Sequence, residues 1–339
     1  MKRLVYFRGI IFVFFLFSCS HDRLHIDVSS VHIPSVEINR MEKDLFEADP
    51  NSLIARTPEL MKKYGSFYPL FITKIINNGG IRDSSYAYNL KRFLSDKDMR
   101  SAYNDCIKSY PDLNFLNQPL TEAFRHYHYY FPEKNIPKIV SYMSGFNYAI
   151  ATDDSTDGIG LEMYLGSENP FYTMTQFPRY KIMTMRRAYI LPDCIRGWLS
   201  NTFENDVEKN DFLDEITYQG KILYLTDAIL PDVHDTLKIG YTAKQLMWCK
   251  QNEFNIWSYF IRNKMLYSRD FNENTKFTHE GPFTSTFSKE SPARTGYWMG
   301  WQIVRMYMDK NPEITVPQLA EEKDAQKILT QSKYKPEGQ

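Results

Sequence analysis

The 339-residue chain predicts an α+β fold, a helix-rich single domain around a small β-sheet. Three observations point there. Helical periodicity runs through two long blocks of the chain. Between them lies a short cluster of apolar and β-branched runs bounded by turn residues, which reads as strands. Pro, Gly and Ser are scattered, with no low-complexity linker and no internal repeat, so one large domain is preferred to two.

Taken in order, the first segment stands apart from that domain. Lys2, Arg3 and Arg8 precede a wholly apolar run at 9–17. A spanning helix needs about 20 apolar residues, whereas a short apolar core behind basic residues suits a secretion signal. Leu16-Phe17-Ser18-Cys19 follows and resembles the lipobox of bacterial lipoproteins. That resemblance implies removal of residues 1–18 as a signal peptide and lipid attachment at Cys19. Residues 20–35 are polar and lack helical periodicity, so 19–35 is expected to be a lipidated tether and 36–339 the globular domain.

Residues 36–40 alternate, and 41–47 begin a helical pattern. Helices are then expected at 51–64, 67–77, 84–94, 96–109 and 118–130, punctuated by Pro111, Pro119, Pro132 and Pro137. Strands follow at 138–142, 146–152 and 159–165. Beyond Pro178 the pattern is helical again at 179–188, 192–203, 211–230, 242–268 and 296–309, with a short helical tail. Pro192 suits a first helical turn.

Composition excludes several functions. Loss of residues 1–18 removes three of the 41 basic residues and no acidic ones, leaving 38 against 41. A nearly neutral chain without a basic stripe gives no reason to expect nucleic acid as a partner. Cys106, Cys194 and Cys249 are an odd set at wide spacings and are read as buried and reduced. The 24 Tyr and 23 Phe read first as core packing.

The motifs of common catalytic sites are missing. Asp153-Asp154-Ser155-Thr156-Asp157-Gly158 resembles the front of a calcium loop, but Tyr164 stands where the bidentate glutamate belongs, and a turn between strands is preferred. His21 and His25 have the i, i+4 spacing of a zinc helix, but lie beside the lipid cysteine with no core around them. His126 and His128, two apart on a helix, diverge. His234 and His279 are isolated. Neither a Gly-x-Ser-x-Gly elbow nor a phosphate-binding loop occurs.

Four stretches resemble the GldB gliding-motility lipoprotein family of the Bacteroidetes. They are His126-Tyr127-His128-Tyr129-Tyr130-Phe131-Pro132 with Ser144-Gly145-Phe146-Asn147-Tyr148, then Gly158-Ile159-Gly160-Leu161-Glu162-Met163-Tyr164-Leu165-Gly166. Gly240-Tyr241-Thr242-Ala243-Lys244-Gln245 follows, with Trp248, Asn252-Glu253 and Ile256-Trp257. Last come Pro282-Phe283-Thr284 and Arg294-Thr295-Gly296-Tyr297-Trp298-Met299-Gly300-Trp301-Gln302-Ile303-Val304-Arg305. The resemblance implies an envelope role in motility or secretion, through protein partners, with the membrane reached through Cys19. The single acidic residue in Ser20-His21-Asp22-Arg23 points to a periplasm-facing protein.

A second resemblance is to zinc protease-like proteins of zincin-like architecture. There, a helix with two histidines and a glutamate precedes a helix with a Glu-Gly pair. The corresponding helices here carry Asp193-Cys194-Ile195-Arg196-Gly197-Trp198 and Gln219-Gly220, and glutamine supplies no anionic ligand. Cys194 and Glu215 alone would not hold zinc. The resemblance implies a degenerate zincin-like fold, a pseudoenzyme with no catalytic residues, metal or cofactor. Arg196, Gln219 and Arg305 are expected to line a vacated cleft walled by Trp198, Trp298 and Trp301, while Gly296 and Gly300 are expected to permit close helix packing. The alternatives are a hydrolase of unrecognised chemistry and a cell-wall glycan-binding lipoprotein.

Overall fold

The computed structural model describes residues 23–204 and 211–338. Cys19, the expected signal peptide at 1–18, and His21 lie outside them. After β1 (Ile38–Arg40) come α1 (Met41–Phe46), α2 (Leu53–Tyr64), α3 (Phe67–Leu70), α4 (Tyr86–Ser95), α5 (Lys97–Ser109) and α6 (Asn114–Tyr130). The strands β2 (Lys138–Tyr142), β3 (Ile150–Thr152) and β4 (Thr156–Gly160) follow, then α7 (Pro170–Met174), α8 (Arg179–Ile182) and α9 (Ile190–Thr202). Next are α10 (Phe212–Ile229), α11 (Asp235–Ile239), α12 (Ala243–Gln251), α13 (Glu253–Arg262) and α14 (Phe271–Thr278). The chain ends with α15 (Thr295–Lys310), α16 (Val316–Glu321) and α17 (Ala325–Ser332).

The sheet order is β1-β2-β4-β3. The first three strands in that order are parallel, with Val140 opposite Gly158, and β3 is an antiparallel edge. Parallel strands covered on both faces bury nearly every side chain, and β4 is buried throughout. One apolar core runs from Val36 to Tyr334, as the single α+β domain requires.

At its centre α10 packs along α15 with backbone against backbone. A methyl group added at Gly220 would lie 2.3 Å from the carbonyl of Gly300, and one at Gly300 only 1.8 Å from the carbonyl oxygen of Ile216. Only glycine allows that approach. A capping box between Asp211 and Asp214 starts α10, which is buried on nearly all sides thereafter.

Several boundaries differ from the sequence expectation for local physical reasons. The helix expected from 118 starts at Asn114, with Pro119 inside it. The strand expected at 146–152 begins only at Ile150, because residues 144–148 fold around the Glu162 carboxylate. The strand expected at 159–165 is Thr156–Gly160, followed by a 3-10 turn at Leu161–Tyr164. The helix expected at 179–188 stops at Ile182, and the single helix expected at 242–268 breaks at Asn252. There the Asn252 side chain donates to the Trp248 carbonyl (2.9 Å), competing with the helical ladder.

The expected tether is largely not free. From Arg23 onward it lies against the body, with Val28 3% exposed and Leu24, Ile26 and Ile33 packed on the core. Arg23 donates to the carbonyls of Met308 (2.6 Å) and Ile314, and His25 pairs with Asp232 at 3.3 Å. The Val36 amide donates to Thr121 Oγ1 (2.9 Å).

Gly300→Ala forces the two central helices apart. The expected cost is about 1–3 kcal/mol or more, as for other overpacked cores, read as a lower melting temperature by calorimetry. An unchanged melting temperature would show that the helix pair yields freely.

Candidate functional site

The main cleft opens between α9, the loop before β3, and the segments around Thr184, Gly240 and Arg294. It encloses about 370 Å³ and is lined by Asn147, Tyr148, Ile150, Tyr164, Lys181, Tyr189, Asp193, Arg196, Gly197, Ser200, Gln219, Glu280 and Arg294, among others. A smaller recess of about 90 Å³ adjoins it and shares Lys181, Thr184, Tyr189, Gly240, Glu280 and Arg294.

Helix α9 turns one face to this cleft. Asp193, Arg196, Gly197 and Ser200 follow the i, i+3, i+4, i+7 spacing of a helical stripe. Asp193 Oδ1 accepts from Arg196 Nη2 (2.8 Å), and its Oδ2 accepts from the Tyr164 hydroxyl (3.0 Å). Arg196 also donates to the Lys238 carbonyl (2.7 Å), so the guanidinium is held in place. A side chain at Gly197 would meet Ile150 Cγ2 at 2.6 Å, so β3 lies directly on α9.

The rim is built from loop and cap devices. Gly240 closes α11 in the left-handed region with φ 77°, and Thr242 with Gln245 forms the capping box of α12. Arg294 also has positive φ (56°), donates to the Ile239 carbonyl (3.0 Å), and with Ala293 receives the Tyr241 hydroxyl on its own carbonyl. On the other side, the Ser144 amide and hydroxyl (both 2.5 Å) and the Phe146 amide (3.1 Å) converge on Glu162 Oε1. Parts of the resembling stretches, notably Asn147, Tyr148, Tyr164, Gly240 and Arg294, therefore belong to this rim.

Edge strand β3 borders the cleft. Ala149, Ala151 and Asp153 exchange hydrogen bonds with β4, so the N–H and C=O groups of Ile150 and Thr152 face the outer edge. Among the described residues no further strand covers that edge.

Of the residues expected in a cleft, Arg196 and Gln219 are there. The other four are not. Trp198, Trp298 and Trp301 are at most 3% exposed and belong to the core. Residues 298, 301 and 305 form one stripe of α15, the usual spacing of a core-facing surface. Arg305 Nε donates to Asp227 Oδ2 (2.9 Å), its two Nη atoms grip Asp235 (2.9 Å each), and its guanidinium stacks 3.7 Å from the Trp301 ring. Asp227 also accepts from Trp301 Nε1 (2.9 Å) and Lys238 Nζ (3.0 Å). This is an ion network joining α10, α11 and α15. Sequence reasoning missed Asp193, Lys181, Glu280 and Arg294; the only signal for Asp193 was its place three residues before Arg196.

The calcium-like run is a turn, as expected, but a shorter one. Asp153 Oδ1 accepts from the amides of Ser155 and Thr156 (2.9 and 2.8 Å), whereas Asp157 and Gly158 lie inside β4. Among the described residues no three metal-ligating side chains converge. Cys106, Cys194 and Cys249 are buried and free of disulfides.

Behind the cleft, the Cys194 thiol donates to Asp157 Oδ2 (2.8 Å). Burial raises the thiol well above its ordinary value, which removes it as a nucleophile, and pushes the Asp157 carboxyl up to about 8. A carboxyl whose folded value is raised stabilises most below the unfolded value of about 4, and that contribution is lost as pH rises toward 8. Melting temperature should therefore fall between pH 5 and pH 8 more steeply in the native protein than in Asp157→Asn. Parallel curves would show that Asp157 does not carry the dependence.

Among the described residues no helix is long and apolar enough to cross a membrane. The family of gliding motility protein GldB matches residues 21–336. No curated protein and no solved structure matches, so the zincin-like expectation gains no support from a known fold. With nearly the whole domain matched, the chain belongs to the GldB family of gliding motility-associated lipoproteins.

Proposed function

We propose that this lipoprotein is a non-enzymatic, pseudo-peptidase-like module, anchored through lipid on Cys19, facing the periplasm, and serving the gliding motility or secretion apparatus by binding protein partners in its cleft. The carrying observation is the meeting of α9 and Gln219 beside the open edge of β3. Asp193 and Gly197 stand at the i, i+4 positions that would hold two zinc-binding histidines in a peptidase of this kind. One is an aspartate paired with Arg196, the other has no side chain, and Gln219 supplies no carboxylate. The position of the glutamate that would activate water is Cys194, whose thiol is spent on Asp157. A cleft bordered by a strand edge with which no other described strand pairs suits an extended peptide segment, which would add to the sheet through main-chain hydrogen bonds.

Three measurements test this. Soluble protein beginning at residue 20 should carry no stoichiometric zinc and keep its melting temperature in chelator. One tightly held zinc, lost together with peptidase activity, would replace the reading with an enzyme. Gln219→Ala and Thr152→Pro should leave the melting temperature within a few degrees while weakening co-purification of the partner at least tenfold. Proline at 152 removes an outward amide and spares the ladder to β4. Full partner recovery with both variants would move the binding site elsewhere. Finally, Cys19→Ala should abolish incorporation of a fatty-acid probe, and full labelling would refute the anchor.

A further inference from the structure

We infer that residues 23–36 act as a strap that orients the body on the membrane, with the C-terminal end of α15 toward the bilayer and the cleft turned away from it. The inference rests on the proposed lipid at Cys19 and not on what the cleft binds. Arg23 is pinned to the end of α15 and the turn beyond it by two hydrogen bonds, to the carbonyls of Met308 in the helix and Ile314 after it. Met308 carries one of the carbonyls that an α-helix leaves unpaired in its last turn, where a guanidinium is also favoured by the helix dipole. Val28 is buried just beyond, and Val36 is tied to Thr121, so the strap is fixed along its length.

Three residues lie between Cys19 and Arg23, four Cα steps with a reach of at most about 14 Å. The surface around Arg23 is therefore held within that distance of the lipid headgroups. It carries Asp232, Asp309 and Lys310, a charged and mixed surface that suits the water side of a headgroup layer and not its interior. The cleft lies at the other end of the same helix. Arg294 precedes the first residue of α15 and lines the cleft, while Met308 lies about 21 Å farther along the axis at the α-helical rise. Helix α10 runs beside α15 in the same direction, with Gln219 at the cleft and Asp232, just beyond its C-terminal end, at the strap. A bilayer is thus the occupant that the strap end faces, and a partner approaching from the aqueous side meets the cleft.

The test uses full-length lipidated protein in vesicles that contain a headgroup-labelled acceptor lipid. The three native cysteines of the body are buried, so a single introduced cysteine takes the donor dye. Donors are placed at Lys310→Cys, near the strap, and at Tyr148→Cys, at the cleft. Energy transfer should be clearly stronger from position 310 than from position 148. Insertion of ten Gly and Ser residues after Asp22, which leaves the body untouched, should abolish that difference. Equal transfer from the two sites, stronger transfer from position 148, or a difference that survives the insertion would overturn the strap. Protein that fails to join the vesicles would overturn the anchor itself, an outcome that leaves peptide binding by the soluble body unaffected.

Discussion

The closeness of α10 and α15 sets the rest of the structure. Gly220 and Gly300 let the two backbones touch, which fixes both the spacing and the rotation of the pair. With the rotation fixed, Gln219 is turned to the cleft, and Asp227, farther along α10, meets Trp301 and Arg305 on α15. Trp298 and Trp301, on the same helix as Gly300, are buried in the core. A wider pair would need larger side chains at the contact, and the cleft would lose its floor.

Buried carboxyls tie other elements of the fold to one another. Glu42 on α1 accepts from Ser141 on β2 (2.7 Å) and from Arg40 (2.6 Å). Glu162 organises the loop before β3, and Asp157 links β4 to α9 through Cys194. Each would be costly if charged and unpartnered, and burial raises Glu42, Glu162 and Asp157 above the ordinary carboxyl range. Their hydrogen bonds offset part of that cost while connecting segments far apart in sequence.

The long periodic helices were legible in the sequence, as was the close contact implied by Gly296 and Gly300. The expected cleft walls were not, although the signal was present: 298, 301 and 305 already trace a core stripe, and aromatic residues on such a stripe pack inward. The packing of residues 23–35 on the body does not follow from helical spacing, which they lack. Leu24, Ile26 and Val28 alternate with His25, Asp27 and Ser29, and the structure buries the first three more than the second. Strand β4 was shifted because Asp157 looks like a turn residue, and nothing local shows that its carboxyl is buried against a thiol from α9. Gln219 and Arg196 meet in the cleft through tertiary packing, which helix periodicity alone does not specify.

The rim of the cleft is rigid for a reason that also bears on how it would bind. Gly240 and Arg294 hold left-handed backbone angles, Thr242 and Gln245 close a capping box, and three donors lock the loop before β3 onto Glu162. These devices order the site before any partner arrives. An extended segment pairing with β3 would then lose mainly its own freedom, because the receiving edge is already in strand conformation. Preorganisation of this kind allows a short strand to recognise a partner, provided that both helices beneath it stay fixed. In the proposed role the glycine contact between α10 and α15 would support recognition as well as stability, since Gln219 on the cleft wall directly precedes the residue that makes it.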